Sequence, residues 1–293
     1  MVGLAVLFGG VAATGPPIDL NKMVSSGYGI NEIPSINHPK YETSEEADVW
    51  LSESDLVMAL VYNDIERVYP LEILIWHEIV NDSIGGKPVL VTYSPLTDTG
   101  RVYLREIDYT TYKFQNSGNL LNSNTILSSD DSTLWTQIDG RAIWGNSDGV
   151  ELTPLTVDIV TWNEWNSEHP DSKVLSRDTG FERDYTNNIY QGYNNSEELR
   201  FPAEPQSDLL PTKEVVYGLN IEGVSKAYKE ADITTLGTIE DRIGEVDILI
   251  ERQKDGTVKT IRKDTGENID RTRGFWFAWY AFHPDTGLYS TGQ

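Results

Sequence analysis

The chain has 293 residues, of which 39% are hydrophobic and 10% aromatic, and it contains no cysteine. These values exclude general disorder, disulfide bonds, cysteine-based zinc sites and cysteine nucleophiles. The formal net charge of −23 repels phosphate backbones and anionic lipid headgroups, so we expect neither a nucleic-acid partner nor peripheral membrane binding.

The first predicted element is an apolar segment at residues 1–14, MVGLAVLFGGVAAT. It is too short to span a bilayer and lacks the basic start of a signal peptide, so we expect no transmembrane span. As a strand, it would place four large side chains on one face: Val2, Leu4, Val6 and Phe8. Such a strand can lie between two layers of its own molecule, or it can be donated to a neighbouring subunit. The tail of a signal sequence is a third interpretation, and residues 15–49 are predicted to be a linker.

The rest of the chain contains an internal repeat, with residues 50–185 as the first unit and residues 186–293 as a shorter second unit. LVMALVYNDIERVYP at 56–70 parallels VVYGLNIEGVSKAYK at 215–229, and the later DSIGGKPVLV parallels DRIGEVDILI. Each unit closes with the same Trp-x-x-Trp-x-x-x-His-Pro-Asp pattern, which predicts a tryptophan-rich helix that ends before proline. Residues 115–145 have no counterpart in the second unit and are predicted to be an insertion rich in turns.

These patterns predict an α+β fold dominated by β-structure. Two related, hairpin-rich halves are each closed by a Trp-rich helix, and an apolar N-terminal strand is added to them. The first hairpin of each half is predicted to turn at Asn63-Asp64 or at Glu222-Gly223. His169 and His283 follow the two helices, where an imidazole can bond to the terminal carbonyls, so we interpret them as caps.

A second hairpin, within residues 76–100, carries most of the polar candidates. Gly85-Gly86 supplies the positive φ of a two-residue turn between strands at 78–84 and 87–93. The strands would bring His77 and Tyr93 to the same end of the hairpin. We predict a pocket there, lined by four side chains: His77, Asp82, Tyr93 and Thr97.

Several motifs along this part of the chain occur in one order. They are HEIVND, a Gly-Gly hairpin, Y-S-P-L-T-x-T-G, SGNLLNSN at 117–124, LW at 134–135 and LSRDTG at 175–180. In this order they resemble the uncharacterised secreted family catalogued as domain of unknown function 3179. Members of that family usually carry Cys-Pro-Leu-Cys where this chain has Ser94-Pro95-Leu96-Thr97. The resemblance therefore implies an architecture and an extracellular or cell-surface location, without the family's thiols.

The catalytic candidates are His77, Ser94 and Asp98. His77 can act as a general base or as a single metal ligand, although a lone histidine is more often a satisfied core residue. Ser94 is the candidate nucleophile, but no G-x-S-x-G elbow is present. Pro95 also removes a backbone N–H that could serve an oxyanion hole, so a serine hydrolase is disfavoured.

Calcium is the one cofactor for which the sequence offers candidate ligands. Five aspartates offer oxygen ligands of the type that calcium uses: Asp82, Asp98, Asp130, Asp131 and Asp178. Of these, Asp82, Asp98 and Asp178 are the metal candidates, but turn capping explains each of them without a metal. Asn194, in an Asn-Asn-Ser sequon, is the candidate glycan acceptor of an exported protein.

Two functions are compatible with these observations. The favoured one is a non-enzymatic secreted or cell-surface structural protein, a filament or surface subunit that self-assembles through its N-terminal strand. The alternative is a secreted metal- or ligand-binding protein, or an enzyme, that uses the pocket around His77, Tyr93 and Ser94.

Overall fold

A computed structural model describes residues 18–30 and 32–290. This part of the chain is dominated by β-structure, in five sheets of three to five strands that are arranged like the blades of a five-bladed propeller. The strands, in chain order, are β1 (Val24–Ser25), β2 (Tyr41–Thr43), β3 (Leu56–Tyr62), β4 (Ile65–Pro70), β5 (Ile79–Ile84), β6 (Lys87–Ser94), β7 (Thr99–Leu104), β8 (Glu106–Ile107), β9 (Thr110–Thr111), β10 (Phe114–Leu121), β11 (Asn124–Ser129), β12 (Leu134–Thr136), β13 (Ala142–Trp144), β14 (Pro154–Leu155), β15 (Asp158–Thr161), β16 (Lys173–Leu175), β17 (Val215–Ile221), β18 (Val224–Lys229), β19 (Thr238–Ile243), β20 (Val246–Arg252), β21 (Val258–Arg262), β22 (Arg271–Phe275) and β23 (Gly287–Leu288).

Helices are few and short in the described ranges. They are α1 (Ser44–Ala47), α2 (Leu71–His77), α3 (Trp162–Glu168), α4 (Glu230–Leu236) and α5 (Trp276–Phe282), with one turn of 3-10 helix at Leu20–Lys22. None of these helices has the length and apolar character that crossing a membrane would require.

The five sheets have the strand orders β1-β10-β11-β12-β13, β14-β7-β6-β5, β15-β3-β4-β16-β2, β22-β17-β18-β23 and β19-β20-β21, and β8 and β9 form a separate hairpin. Two-residue turns with positive φ join the main hairpins at Asn63-Asp64, Gly85-Gly86 and Glu222-Gly223. The hairpins predicted at these three positions are present in the strand pairing.

One series of elements occurs twice along the chain. β3, β4, α2, β5 and β6 have the same order as β17, β18, α4, β19 and β20, so that Tyr69 corresponds to Tyr228 and Gly85 to Gly244. Later in each series, β15 pairs antiparallel with β3 as β22 does with β17. After α3 and α5, β16 and β23 pair in parallel with β4 and β18 respectively.

The tryptophans of α3 and α5 pack against the histidines that follow these helices. Trp165 stacks on His169 with ring centroids 3.9 Å apart, and Trp279 stacks on His283 at 3.8 Å. The caps predicted for the two imidazoles are wrong in their partners. The ring nitrogens of His169 contact the carboxylates of Glu66 and Asp255, and Nδ1 of His283 contacts the Ser225 hydroxyl, instead of helix carbonyls. Stacking leaves the nitrogens at the ring edge, where these partners reach them.

The segment predicted to be a linker contributes to the sheets along its described part. Within residues 15–49, β1 pairs with β10 and β2 pairs with β16. Ile36 is fully buried and forms a parallel bridge to Val80 of β5.

The predicted insertion, residues 115–145, likewise supplies most of the sheet that contains β10 to β13. Local composition indicated turns and polar loops, whereas partners distant in sequence make these segments strands. The strand predicted at residues 1–14 lies outside the described residues.

Three arginine–aspartate pairs connect the two halves. They are Arg271–Asp158 at 2.5 Å, Arg273–Asp98 at 2.8 Å and Arg101–Asp270 at 2.7 Å. The three arginines are buried between the sheets, so each guanidinium needs the carboxylate for its solvation. These contacts hold the second half against the hairpin that carries the candidate site.

Candidate functional site

The loop between β6 and β7 carries Ser94 and Thr97, a candidate nucleophile and a predicted pocket residue. Ser94 ends β6 and pairs with Thr99, the first residue of β7. Between them, the backbone N–H of Thr97 donates to the carbonyl oxygen of Ser94 at 3.2 Å, which closes a tight turn. Ser94 is 1% exposed and Thr97 is fully buried, so both hydroxyl groups lie inside the protein.

Residues of β11 close this site from the opposite side. The backbone N–H of Thr125 donates to the Ser94 hydroxyl at 3.2 Å, and the Asn124 amide donates to the Thr97 hydroxyl at 2.9 Å. We call this group the Ser94 pocket and define it as Glu78, Ser94, Thr97, Asn124 and Thr125. All its members are at least nine-tenths buried. Most of its polar atoms are paired inside the protein, and the side-chain oxygen of Asn124 is a buried atom without a partner among the described residues.

Glu78 is the charged group of the Ser94 pocket. Its Oε2 accepts hydrogen bonds from the Asn116 amide at 2.7 Å and from the Thr125 hydroxyl at 2.9 Å. Burial raises the pKa of Glu78 to about 7, although these two donors favour the carboxylate. The side chain therefore gains or loses its proton near neutral pH, in contact with the hydroxyl that neighbours Ser94.

The backbone of Glu78 has a left-handed conformation. Glu78 follows the last residue of α2 with φ of 55°, and the corresponding position after α4 is Gly237 with φ of 71°. Glycine adopts this conformation without strain, whereas a residue with a side chain does so at a cost. The first half therefore holds a buried acid at a position where the second half has the residue that the turn favours. Such a combination of strain and buried charge marks a candidate functional residue.

His77 is buried close to this position but has its own partners. Its Nδ1 donates to the carbonyl oxygen of Pro34 at 2.7 Å, and its Nε2 accepts from the Tyr185 hydroxyl at 2.7 Å. Thr179 continues this chain with a contact of 2.6 Å to the same Tyr185 hydroxyl. Burial lowers the pKa of His77 to about 4, so the imidazole is neutral at neutral pH. Because both ring nitrogens are occupied, His77 forms no nucleophile–base pair with Ser94 in this structure.

The other predicted pocket and metal residues belong to separate networks. The Tyr93 hydroxyl donates to Asp98 at 2.8 Å, and Asp98 also accepts from Arg273. Asp82 accepts from the hydroxyl groups of Tyr41 and Tyr69. The remaining aspartates contact local partners: Asp178 pairs with Lys40, and Asp131 caps the turn at Ser129 and Thr133. The structure therefore does not gather the predicted calcium ligands into one site.

The family comparison covers most of the chain. Residues 30–268 match the family described as Protein of unknown function (DUF3179). The chain belongs to the DUF3179 family. No curated protein and no solved structure matches it. The matched residues include the whole Ser94 pocket and the hairpin that was predicted to carry the site.

In this DUF3179 member, the polar groups of the Ser94 pocket are hydroxyls, a carboxyl group and amides. Across residues 18–30 and 32–290, no group of three histidine or acidic side chains is placed to hold a metal ion. Glu78 can bind a proton near neutral pH, and the side-chain oxygen of Asn124 has no hydrogen-bond partner among the described residues. Asn194, the predicted glycan acceptor, is exposed in a turn.

The sequence predicts Glu78 as a polar residue of the hairpin strand, but not its burial in the Ser94 pocket. It predicts Asn124 and Thr125 only as parts of a polar insertion. The repeat carried a signal for Glu78, because its counterpart is Gly237 and glycine at the end of a helix indicates positive φ. No local signal places Asn124 and Thr125 beside Ser94, since strand pairing over the whole insertion brings them there.

Proposed function

We propose that this DUF3179 member is a non-enzymatic structural protein of the cell exterior, whose copies join through their N-terminal strands. The observation that carries the non-enzymatic part is the closure of the Ser94 pocket. The hydroxyl groups of Ser94 and Thr97 are buried and paired with Thr125 and Asn124. A nucleophile needs both access to substrate and a base in contact, and neither accompanies Ser94 in this arrangement.

The apolar segment at the N-terminus supports the self-assembling part of the proposal. Four large side chains would share one face of a strand there: Val2, Leu4, Val6 and Phe8. The segment has no charged residue, whereas the whole chain has a net charge of −23. An apolar strand requires cover, and donation to a neighbour provides this cover through backbone hydrogen bonds. The acidic composition suits an extracellular location.

We also infer that the two halves arose by internal duplication. The Tyr69 hydroxyl donates to Asp82 at 2.6 Å, and the corresponding Tyr228 hydroxyl donates to Asp241 at 2.8 Å. The matching order of elements and the stacked Trp–His pairs after α3 and α5 support the same inference. On this interpretation, Asp82 is part of the shared scaffold and not a ligand of a site.

Removal of residues 1–14 should leave a folded monomer. If the segment acts between molecules, its loss removes the donor and leaves each core intact. Light scattering and electron microscopy should show assemblies for the full chain and single particles for the truncated one, with unchanged far-ultraviolet circular dichroism.

A full-length variant controls for the change in length. Replacing Val2, Leu4, Val6 and Phe8 with serine keeps the segment but removes its apolar face, so it should also abolish assembly. Unfolding of the truncated chain would contradict the proposal, because it would identify the segment as a core strand of its own molecule. Assembly of the truncated chain at the wild-type concentration would contradict it as well.

A second candidate function is ligand binding at the Ser94 pocket. The specific observations that favour it are the buried and strained Glu78 and the buried side-chain oxygen of Asn124, which has no partner among the described residues. A small polar ligand or a calcium ion would be bound by oxygen atoms of this group if the pocket opened.

Calcium is the probe for this second function. Elemental analysis of the purified chain, followed by calorimetric titration with calcium, should show one bound ion if the pocket is a metal site. Glu78→Gln should then abolish the heat of binding, whereas Glu53→Gln, at an exposed position, should leave it unchanged. Metal-free protein with no heat of binding would exclude calcium, and an unaltered signal in Glu78→Gln would place the ion elsewhere.

A further inference from the structure

A short segment that precedes the first half covers the outer edge of β5. The backbone N–H of Ile36 donates to the carbonyl oxygen of Ile79 at 2.9 Å, and the N–H of Asn81 donates to the carbonyl oxygen of Ile36 at 2.8 Å. Two residues earlier, the carbonyl oxygen of Pro34 accepts from His77. One extended segment therefore satisfies the backbone of this edge and also buries the end of α2.

The corresponding edge in the second half has no such cover among the described residues. β19 pairs with β20 only and forms the edge of its sheet. Because Ile243 and Val246 close a two-residue turn, alternate residues of β19 direct their backbone groups away from β20. These residues are Thr238, Glu240 and Arg242, which we call the open edge of β19. Thr238 and Glu240 correspond to Ile79 and Asn81, the two residues that bond to Ile36.

Side chains beside this edge are apolar and exposed. Leu236, the last residue of α4, is 46% exposed, whereas its counterpart His77 is fully buried. Val224, next to the turn that ends β19, is also 46% exposed, and its counterpart Ile65 packs partly against the core. Among the described residues, the second half therefore has no counterpart of the segment that bonds to Ile79 and Asn81 and accepts from His77 in the first half.

We propose that the open edge of β19 binds the apolar N-terminal strand, residues 2–8, of a second copy of the chain, an inference that rests on the self-assembly proposed above. The strand would occupy the position that Ile36 occupies at β5. Its backbone would pair with Thr238 and Glu240, and its large side chains would cover Leu236 and Val224.

The charges at the open edge suit an uncharged strand. The Glu240 carboxylate pairs with Lys263 at 2.6 Å, and Arg242 pairs with Asp247 at 2.7 Å, so the side chains along this edge neutralise one another. Two copies of an acidic chain repel each other over most of their surface. Residues 1–14 carry no charge, so they can approach a second copy with little repulsion.

Two substitutions of one residue provide the test. Glu240→Pro removes the outward N–H that corresponds to that of Asn81, and proline is tolerated on an edge strand when its missing donor faces outward. We expect this variant to raise the concentration needed for assembly by about tenfold or more, since an inter-subunit hydrogen bond and its close approach are lost. Glu240→Gln removes the charge but keeps the N–H, so it should assemble as the wild type does.

A second variant and a cross-link cover the case in which proline disturbs the sheet. Leu236→Lys places a charge at an exposed position beside the edge and should weaken assembly without affecting folding. The chain contains no cysteine, so a full-length variant with Leu4→Cys and Thr238→Cys has only these two thiols, and mass spectrometry of the cross-linked peptides distinguishes a disulfide between positions 4 and 238 from one between identical positions. Oxidation should produce dimers and longer ladders on a non-reducing gel, and Leu4→Cys with Val61→Cys, at an exposed residue of β3, should not.

The outcomes separate this inference from the proposed function. If Glu240→Pro and Leu236→Lys both assemble like the wild type while removal of residues 1–14 abolishes assembly, strand donation holds and the acceptor lies elsewhere. A disulfide within one monomer would show that the strand returns to its own β19, and it would overturn both proposals. If the truncated chain still assembles, the proposed function fails whatever happens at β19.

Discussion

Replacing Arg271 with methionine should lower the free energy of unfolding by about 3–5 kcal/mol, because the substitution leaves the carboxylate of Asp158 buried without its cation. Both side chains are 4% exposed, and the guanidinium of Arg271 contacts the two oxygens of Asp158 at 2.6 and 2.5 Å. Asp158 belongs to β15 in the first half and Arg271 to β22 in the second. The loss should therefore weaken the contact between the halves.

Chemical denaturation of the wild type and the variant measures this change. A double variant, Arg271→Met with Asp158→Leu, should regain most of the lost stability, because apolar side chains replace both charges and no ion remains buried alone. The exposed pair between Arg242 and Asp247 is the matched control, and Arg242→Met should leave the unfolding midpoint almost unchanged. Equal losses in Arg271→Met and in the double variant would show that packing, and not charge, is responsible.

Glu78→Gln should stabilise the protein above pH 7 by about 3 kcal/mol, because it removes a carboxylate that burial disfavours. The pKa of Glu78 is about 7 in the folded protein against an ordinary 4.5, so the folded state holds its proton more tightly than the unfolded state does. The contribution of Glu78 to stability is therefore complete below pH 4.5 and is lost as the pH rises toward 7. Glutamine retains an acceptor for Asn116 and Thr125 at every pH.

Denaturation at pH 8 and at pH 4.5 tests this prediction. The gain in Glu78→Gln should be present at pH 8 and absent at pH 4.5, whereas Glu53→Gln, at an exposed position, should show no gain at either pH. A gain of equal size at both pH values would contradict the assignment, because a difference in packing and not a titration would then cause it.

The buried His77 and the partly buried His283 shift the pH dependence of wild-type stability in the opposite direction. Burial lowers the pKa values of His77 and His283 to about 4, so their contribution is complete above pH 6.5 and is lost as the pH falls toward 4. Between pH 4.5 and 6.5, a rise in pH increases the contribution of the two histidines to stability and decreases the contribution of Glu78. The stability of Glu78→Gln should therefore rise more steeply with pH over this range than that of the wild type.

The candidate site shows where sequence reasoning succeeded and where it did not. The hairpin around Gly85-Gly86 was predictable because a two-residue turn and alternating apolar strands are local features. His77 and Ser94 were correctly placed near one hairpin, but their hydrogen-bond partners were not predictable. Pro34, Tyr185 and Thr125 reach them from segments that are far apart in sequence.

The sequence by itself determined a β-dominated chain, the hairpin turns, whose causes are local, and membership of a family. Only the tertiary structure decided which elements meet. It placed β11 over Ser94, buried Glu78 where glycine serves the second half, and covered β5 with a segment for which β19 has no counterpart among the described residues. The physical reason is that burial and strand pairing depend on partners many residues away. The same hairpin can therefore have a closed edge in one half and an open edge in the other.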